Sequence, residues 1–144
     1  MPKNSGVRTD QQRSRAEVAA TATYDQEALM EAMIAACALI ARADGSVDSS
    51  ERKRVFRLMR AIPSFSVFSP SDVAAEFERH ERRFEYEPYL GRDRALDAIE
   101  ALAPRASDVK LLLYACQQVL EADGVPHPKE YEALKEISNA LDCD

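Results

Sequence analysis

Two short stretches of this 144-residue chain carry oxygen-bearing side chains in the same order. The first reads Asp44-Gly45-Ser46-Val47-Asp48-Ser49-Ser50-Glu51. The second reads Asp123-Gly124-Val125-Pro126-His127-Pro128-Lys129-Glu130. In each, Glu follows Gly by six residues. This spacing equals the second half of an EF-hand calcium loop, where Gly permits a sharp turn and the closing Glu offers two oxygens to a hard cation. The first half of such a loop is missing. Its ligand positions fall on Ile40 and Arg42, or on Val119 and Glu121, which continue helical patterns. Neither stretch is a complete EF-hand, and one alone binds calcium weakly.

Helix capping accounts for many of the same residues. Gly45 and Gly124 stand where a helix C-terminus takes a residue with positive φ. Asp48 and Glu51 have the N-cap and N3 spacing of a capping box, and Pro128 suits N1. Capping explains Asp44 and Asp123 less well, because a carboxylate at a helix C-terminus opposes the macrodipole. That choice is made twice, at equivalent positions, which keeps the metal reading open.

Catalytic chemistry finds little footing. His80-Glu81-Arg82-Arg83-Phe84 begins like H-E-x-x-H but has Phe84 where the second His is needed. The Glu-x-x-His pair of di-iron bundles is absent too, since Phe77 lies three residues before His80. No G-x-S-x-G, P-loop or dinucleotide fingerprint occurs. The expectation is a non-catalytic protein, with His80 partly buried on the apolar stripe of its helix. Cys37, Cys116 and Cys143 form no C-x-x-C pair, so a reducing cytoplasm is expected rather than a disulfide scaffold. Cys37 and Cys116 fit a core, and Cys143, near the chain end, is the more reactive thiol.

The elements that must hold the two turns read as helices throughout. Met30, Met33, Ile34, Cys37, Ile40 and Ala41 share one helix face. Val55, Leu58, Ala61 and Ile62 form a second stripe, stopped by Pro63. Ser69-Pro70 opens a helix striped with Val73, Phe77, His80 and Phe84. Pro88 breaks the chain, and a helix with Leu96, Ile99 and Leu102 ends before Pro104. Ser107 caps a helix carrying Val109, Leu112, Leu113, Cys116, Val119 and Leu120. A last helix carries Leu134, Ile137, Ala140 and Leu141.

Residues 30–62 and 109–141 match position by position: both stripes, the Ala-Asp-Gly and the Glu recur at one constant offset. They are two copies of one helix–loop–helix unit. A single hairpin of this kind cannot bury its apolar face alone. The expectation is an all-α domain of six to seven helices, with two pseudo-twofold-related hairpins. Residues 63–108 form an insert closing over one side with Phe65, Phe68, Phe77 and Phe84. Residues 1–23, poor in large apolar side chains, are expected as a mobile N-terminal tail, and 24–144 as the folded domain.

Composition narrows the class. Nineteen Lys and Arg against 25 Asp and Glu give a net charge of -6, which disfavours a nucleic-acid binder. Hydrophobic residues at 46% and charged residues at 31% suit an ordinary globular domain. No apolar run is long enough for a membrane span, and Lys3 and Arg8 precede no apolar core of a secretory signal. Residues 117–144 are acidic, whereas 51–60 carry Arg52, Lys53, Arg54, Arg57 and Arg60. Such a dipolar molecule can dock one face on an acidic partner and the other on cations.

The run Ala35-Ala36-Cys37-Ala38-Leu39-Ile40-Ala41-Arg42-Ala43-Asp44-Gly45-Ser46-Val47, followed by Glu51, resembles the tellurite-resistance TerB family. So do Phe84-Glu85-Tyr86-Glu87-Pro88-Tyr89-Leu90-Gly91 and Ala122-Asp123-Gly124. The resemblance covers about residues 25–143. It implies an all-helical bacterial domain with an acidic, metal-binding face, and Asp44, Asp48, Glu51, Asp123 and Glu130 become the ligand candidates. The cation is expected to be calcium-like, although His127 replaces the residue matching Asp48 and imidazole is a poor calcium ligand. The family implies resistance to tellurite and related stresses without turnover. The partners implied are proteins of a stress-resistance complex, membrane-associated ones included, with no nucleic acid. The competing expectation is a plain protein-interaction domain, co-chaperone-like, whose Asp-Gly turns are only helix caps.

Overall fold

A computed structural model describes residues 10–43, 45, 49–121 and 126–142, with side chains from residue 25 onward except those at 50 and 64. Six α-helices follow one another: α1 (Asp10–Ala41), α2 (Ser49–Ala61), α3 (Pro70–Tyr86), α4 (Pro88–Glu100), α5 (Ala106–Glu121) and α6 (Pro128–Ala140). A 3-10 turn, Pro63–Phe65, joins α2 to α3. No strand occurs among the described residues, so the all-α expectation holds. None of the described helices is long and apolar enough to cross a membrane.

α1 is the axis of the molecule. It touches every other helix and the 3-10 turn. Every residue from Ala32 to Ala41 is apolar, and Ala32 to Ala38 and Ile40 are wholly shielded from solvent. A helix that is hydrophobic all round belongs in the interior. The one-faced stripe expected for this segment is therefore too narrow. The alanines leave room for neighbouring helices to approach on the remaining faces. α1 also begins at Asp10, inside the stretch expected as a tail, so helix is continuous across the expected boundary at residues 23 and 24.

The two hairpins meet through their first helices. α1 packs on α5, and the crossed pairs α1–α6 and α2–α5 also touch. α2 and α6 do not touch among the described residues. The second helices break the repeat. α2 turns Val55 and Met59 inward, while α6 turns Ala133 and Ile137 inward; just past the helix ends the matching Ile62 and Leu141 are both buried. The positions matching Ala133 and Ile137 are Arg54 and Leu58, so α2 is rolled by about one residue, roughly 100°. The cause lies in the neighbours. α2 packs against α3, where Phe56 meets Phe77 edge-on at 5.6 Å between ring centroids. α6 packs instead against α4.

The insert behaves as expected, since Phe65, Phe77 and Phe84 are buried and Phe68 packs against the core. Ser69 caps α3: the Asp72 N–H donates to Ser69 Oγ at 3.1 Å, and the Ser69 N–H donates to Asp72 Oδ2 at 3.3 Å. α5 begins at Ala106, so Ser107 lies in the first turn and not at the cap. Leu113 is half-buried, and its neighbour Leu112 is the fully buried residue.

Candidate functional site

The first Asp-Gly turn follows directly from the end of α1. The Arg42 N–H donates to the Ala38 carbonyl at 3.0 Å, and the Gly45 N–H donates to the Arg42 carbonyl at 2.9 Å. Gly45 has φ +118°, a conformation L side chains rarely adopt, which is why glycine closes this helix. The insert anchors the turn. The Arg42 guanidinium lies over the Phe84 ring at 5.5 Å, a cation–π contact that pins the last turn of α1 to α3. Glu51 lies half-buried in the first turn of α2, where a carboxylate suits the helix dipole. Asp44 and Asp48 lie outside the described residues.

At the second turn, Asp123 lies outside the described residues, as does Gly124. Glu130 is at N3 of α6. Its Oε1 accepts from the His127 N–H at 2.9 Å, while His127 Nδ1 accepts from the Lys129 N–H at 3.1 Å. The expected ligand Glu130 thus spends one oxygen on a helix cap, and the imidazole at the Asp48-equivalent position caps the same helix. Pro128 occupies the first turn, as its sequence position suggests.

The end of α1 and the first turns of α6 face one another across a groove. It measures 370 Å³ and is lined by Arg42, Ala43 and Gly45 from the first turn and by Lys129, Glu132 and Glu136 from α6. Arg92 of α4 reaches into the same groove and pairs with Glu136. The Arg42–Phe84 contact and the Arg92–Glu136 pair were not legible in the turn sequences, because both depend on the insert reaching back across the hairpins.

His80 is more deeply placed than expected, at 2% exposure. Burial, then the Arg83 and Arg79 charges, lowers its pKa from 6.5 to about 4, so the ring is neutral at pH 7. Its buried acidic neighbour is Glu76, one helical turn earlier, whose pKa is raised by burial against the opposing pull of Arg79. Counting three residues back from His80 meets only Phe77; the carboxylate sits four back. Cys37 and Cys116 are buried free thiols, as their stripe positions suggest, while Cys143 lies outside the described residues. Burial pushes the Cys37 pKa up to about 12, and that of Cys116 up as well, with the neighbouring Cys37 adding to it.

A family model described as "Tellurite resistance protein TerB" matches residues 30–144. A protein from Alcaligenes sp, described as "Tellurium resistance protein TerB", is 26% identical over 96 residues, covering 65% of this chain and 79% of that protein. No solved structure matches the chain.

Proposed function

Because the chain belongs to the TerB family of tellurite resistance proteins, we propose that it is a non-catalytic, calcium-binding module of bacterial tellurite and metal stress resistance. It works in the cytoplasm as a scaffold for other proteins of a resistance complex. The observation that supports this reading is a proximity: Gly45 of the first turn and Lys129 line one cleft, which sets the first turn beside the start of the helix that carries Glu130. Each turn alone supplies too few oxygens for an ion that takes about 6–8. Ligands drawn from both copies, Asp44, Asp48 and Glu51 with Asp123 and Glu130, would make up that number. The scaffold role is supported by exposed aromatic side chains, Tyr86 at 78% and Tyr89 at 87%, of a kind enriched at protein interfaces.

The second reading, an interaction domain with plain helix caps, draws on the His127–Glu130 box, whose bonds are satisfied without an ion. Calcium titration followed by calorimetry and thermal melting separates the two. Saturable binding with a rise in Tm supports the calcium module. Identical melting curves with and without millimolar calcium leave the caps as the whole explanation.

A further inference from the structure

α3 carries two buried polar side chains one turn apart, Glu76 at 6% and His80 at 2% exposure. Polar groups buried in a core are costly unless something satisfies them. Glu76 Oε2 accepts from the Arg79 guanidinium. Its Oε1 faces His80 Nε2 at 3.9 Å, beyond hydrogen-bond reach. His80 Nδ1 has no partner among the described residues. From α1, Glu31 completes a cluster in which one ligand atom from each of Glu31, Glu76 and His80 lies within 4.8 Å of the others.

We propose that Glu31, Glu76 and His80 bind a first-row transition divalent cation, with zinc the fitting probe. Two carboxylates and one neutral imidazole form the mixed oxygen and nitrogen set such ions take, whereas calcium takes oxygens. Bonds of about 2.0–2.2 Å put neighbouring tetrahedral ligands roughly 3.4 Å apart. The 3.9 Å between Glu76 and His80 needs only a few tenths of an ångström of closure on the ion. Glu31 is exposed on α1, with a carboxylate oxygen within 4.8 Å of the other two ligand atoms. Glu76 divides its oxygens, Oε2 to Arg79 and Oε1 toward the ion, so Arg79 orients the ligand from outside. Arg79 and Arg83 oppose a cation, but Glu27 and Asp72 join Glu31 and Glu76 along a groove of 440 Å³ that leads to the cluster. That acidic approach path attracts the ion and leaves room for water in the remaining positions. The cluster shares no residue with either Asp-Gly turn and stands whether or not they bind calcium.

The full chain carrying Cys143→Ser and His127→Gln, which removes a competing thiol and a competing exposed imidazole, is titrated with zinc by calorimetry and with cobalt by visible absorption. One ion per chain is expected, with d–d bands of a nitrogen- and oxygen-ligated cobalt. Glu31→Gln lies on an exposed position and leaves folding intact; it should weaken zinc at least about tenfold. His80→Leu should do the same, with circular dichroism reporting its fold. Should His80→Leu fail to fold, nitrogen NMR of the His80 ring in the parent chain takes its place, and a zinc-induced shift is expected. No zinc binding at micromolar concentrations overturns the proposal. So does binding that survives Glu31→Gln, or that leaves His80 unperturbed.

Discussion

Gly91 lies against the backbone of Phe84: a Cβ added at Gly91 would stand 2.9 Å from the Phe84 nitrogen and 3.0 Å from its Cα. α3 and α4 are separated by Glu87 alone, and Pro88 starts α4 at once. The chain can fold back so tightly only if the first turn of α4 carries no side chain at this point. Gly91→Ala should therefore force the two helices apart and cost about 1–3 kcal/mol, read as a lowered urea midpoint. Because Phe84 also holds Arg42, the variant should loosen the end of α1 as well, visible as faster amide exchange at Arg42 and Ala43.

The two turns should respond unequally to calcium. Glu130 holds a cap bond to His127, and the second turn has His127 where the first has Asp48. Asp44→Asn should thus weaken calcium binding more than Asp123→Asn, and the double variant should abolish the calcium-induced rise in Tm. Equal losses from the two single variants, measured by calorimetry, would count against a dominant first turn.

Acid should act through His80. Its pKa is 6.5 when unfolded and about 4 when folded. Between those values the unfolded chain binds the proton and the folded chain does not, so falling pH favours unfolding. The stability present above pH 6.5 is lost across that window, by at most about 3 kcal/mol. Glu76 works in the opposite sense, because its raised pKa lets the folded state bind a proton first. His80→Leu should flatten the urea midpoint between pH 6.5 and 4. At pH 7 it should cost little, since it removes a buried nitrogen without a partner.

Thiol chemistry should find the core closed. Burial keeps Cys37 and Cys116 protonated at ordinary pH, and a thiol rather than a thiolate is a poor nucleophile. In a Cys143→Ser background, neither should react with a disulfide reagent at pH 8 on the timescale of minutes. Both should react at once in denaturant, followed by absorbance.

Leu112→Ala should cost about 2–5 kcal/mol in chemical denaturation, because Leu112 is fully buried. Leu113→Ala should cost less, its side chain being half-exposed to solvent.

Much of the fold was legible because it is local. Apolar spacing marked the helices, Ser69-Pro70 and Pro128 marked starts, and the repeat foretold that α1 meets α5. The roll of α2 against α6 was not legible, since it depends on Phe56 meeting Phe77 from the insert. All-round burial of α1 did have a signal, the unbroken apolar run from Ala32 to Ala41, which a search for one face overlooks. The Glu31, Glu76 and His80 cluster had only half of one. Glu76 and His80 are one turn apart on α3, but Glu31 joins them only through the packing of α1 on α3. For the turns themselves, Gly45 was legible as a chain-reversal residue, whereas Glu130 was expected as a ligand and its cap role appears only with the His127 N–H bond.

The central position of α1 governs how the protein comes apart. Every other helix touches it, so an opening that exposes α1 strips the interior from all of them at once. The amides from Ala32 to Ala41 should then exchange only through global unfolding and set the slowest rates in the chain. A hairpin copied twice in sequence is, for this reason, not a unit that folds twice. The second copy has no axis of its own to close upon, and a fragment beginning at α2 would have nothing to wrap.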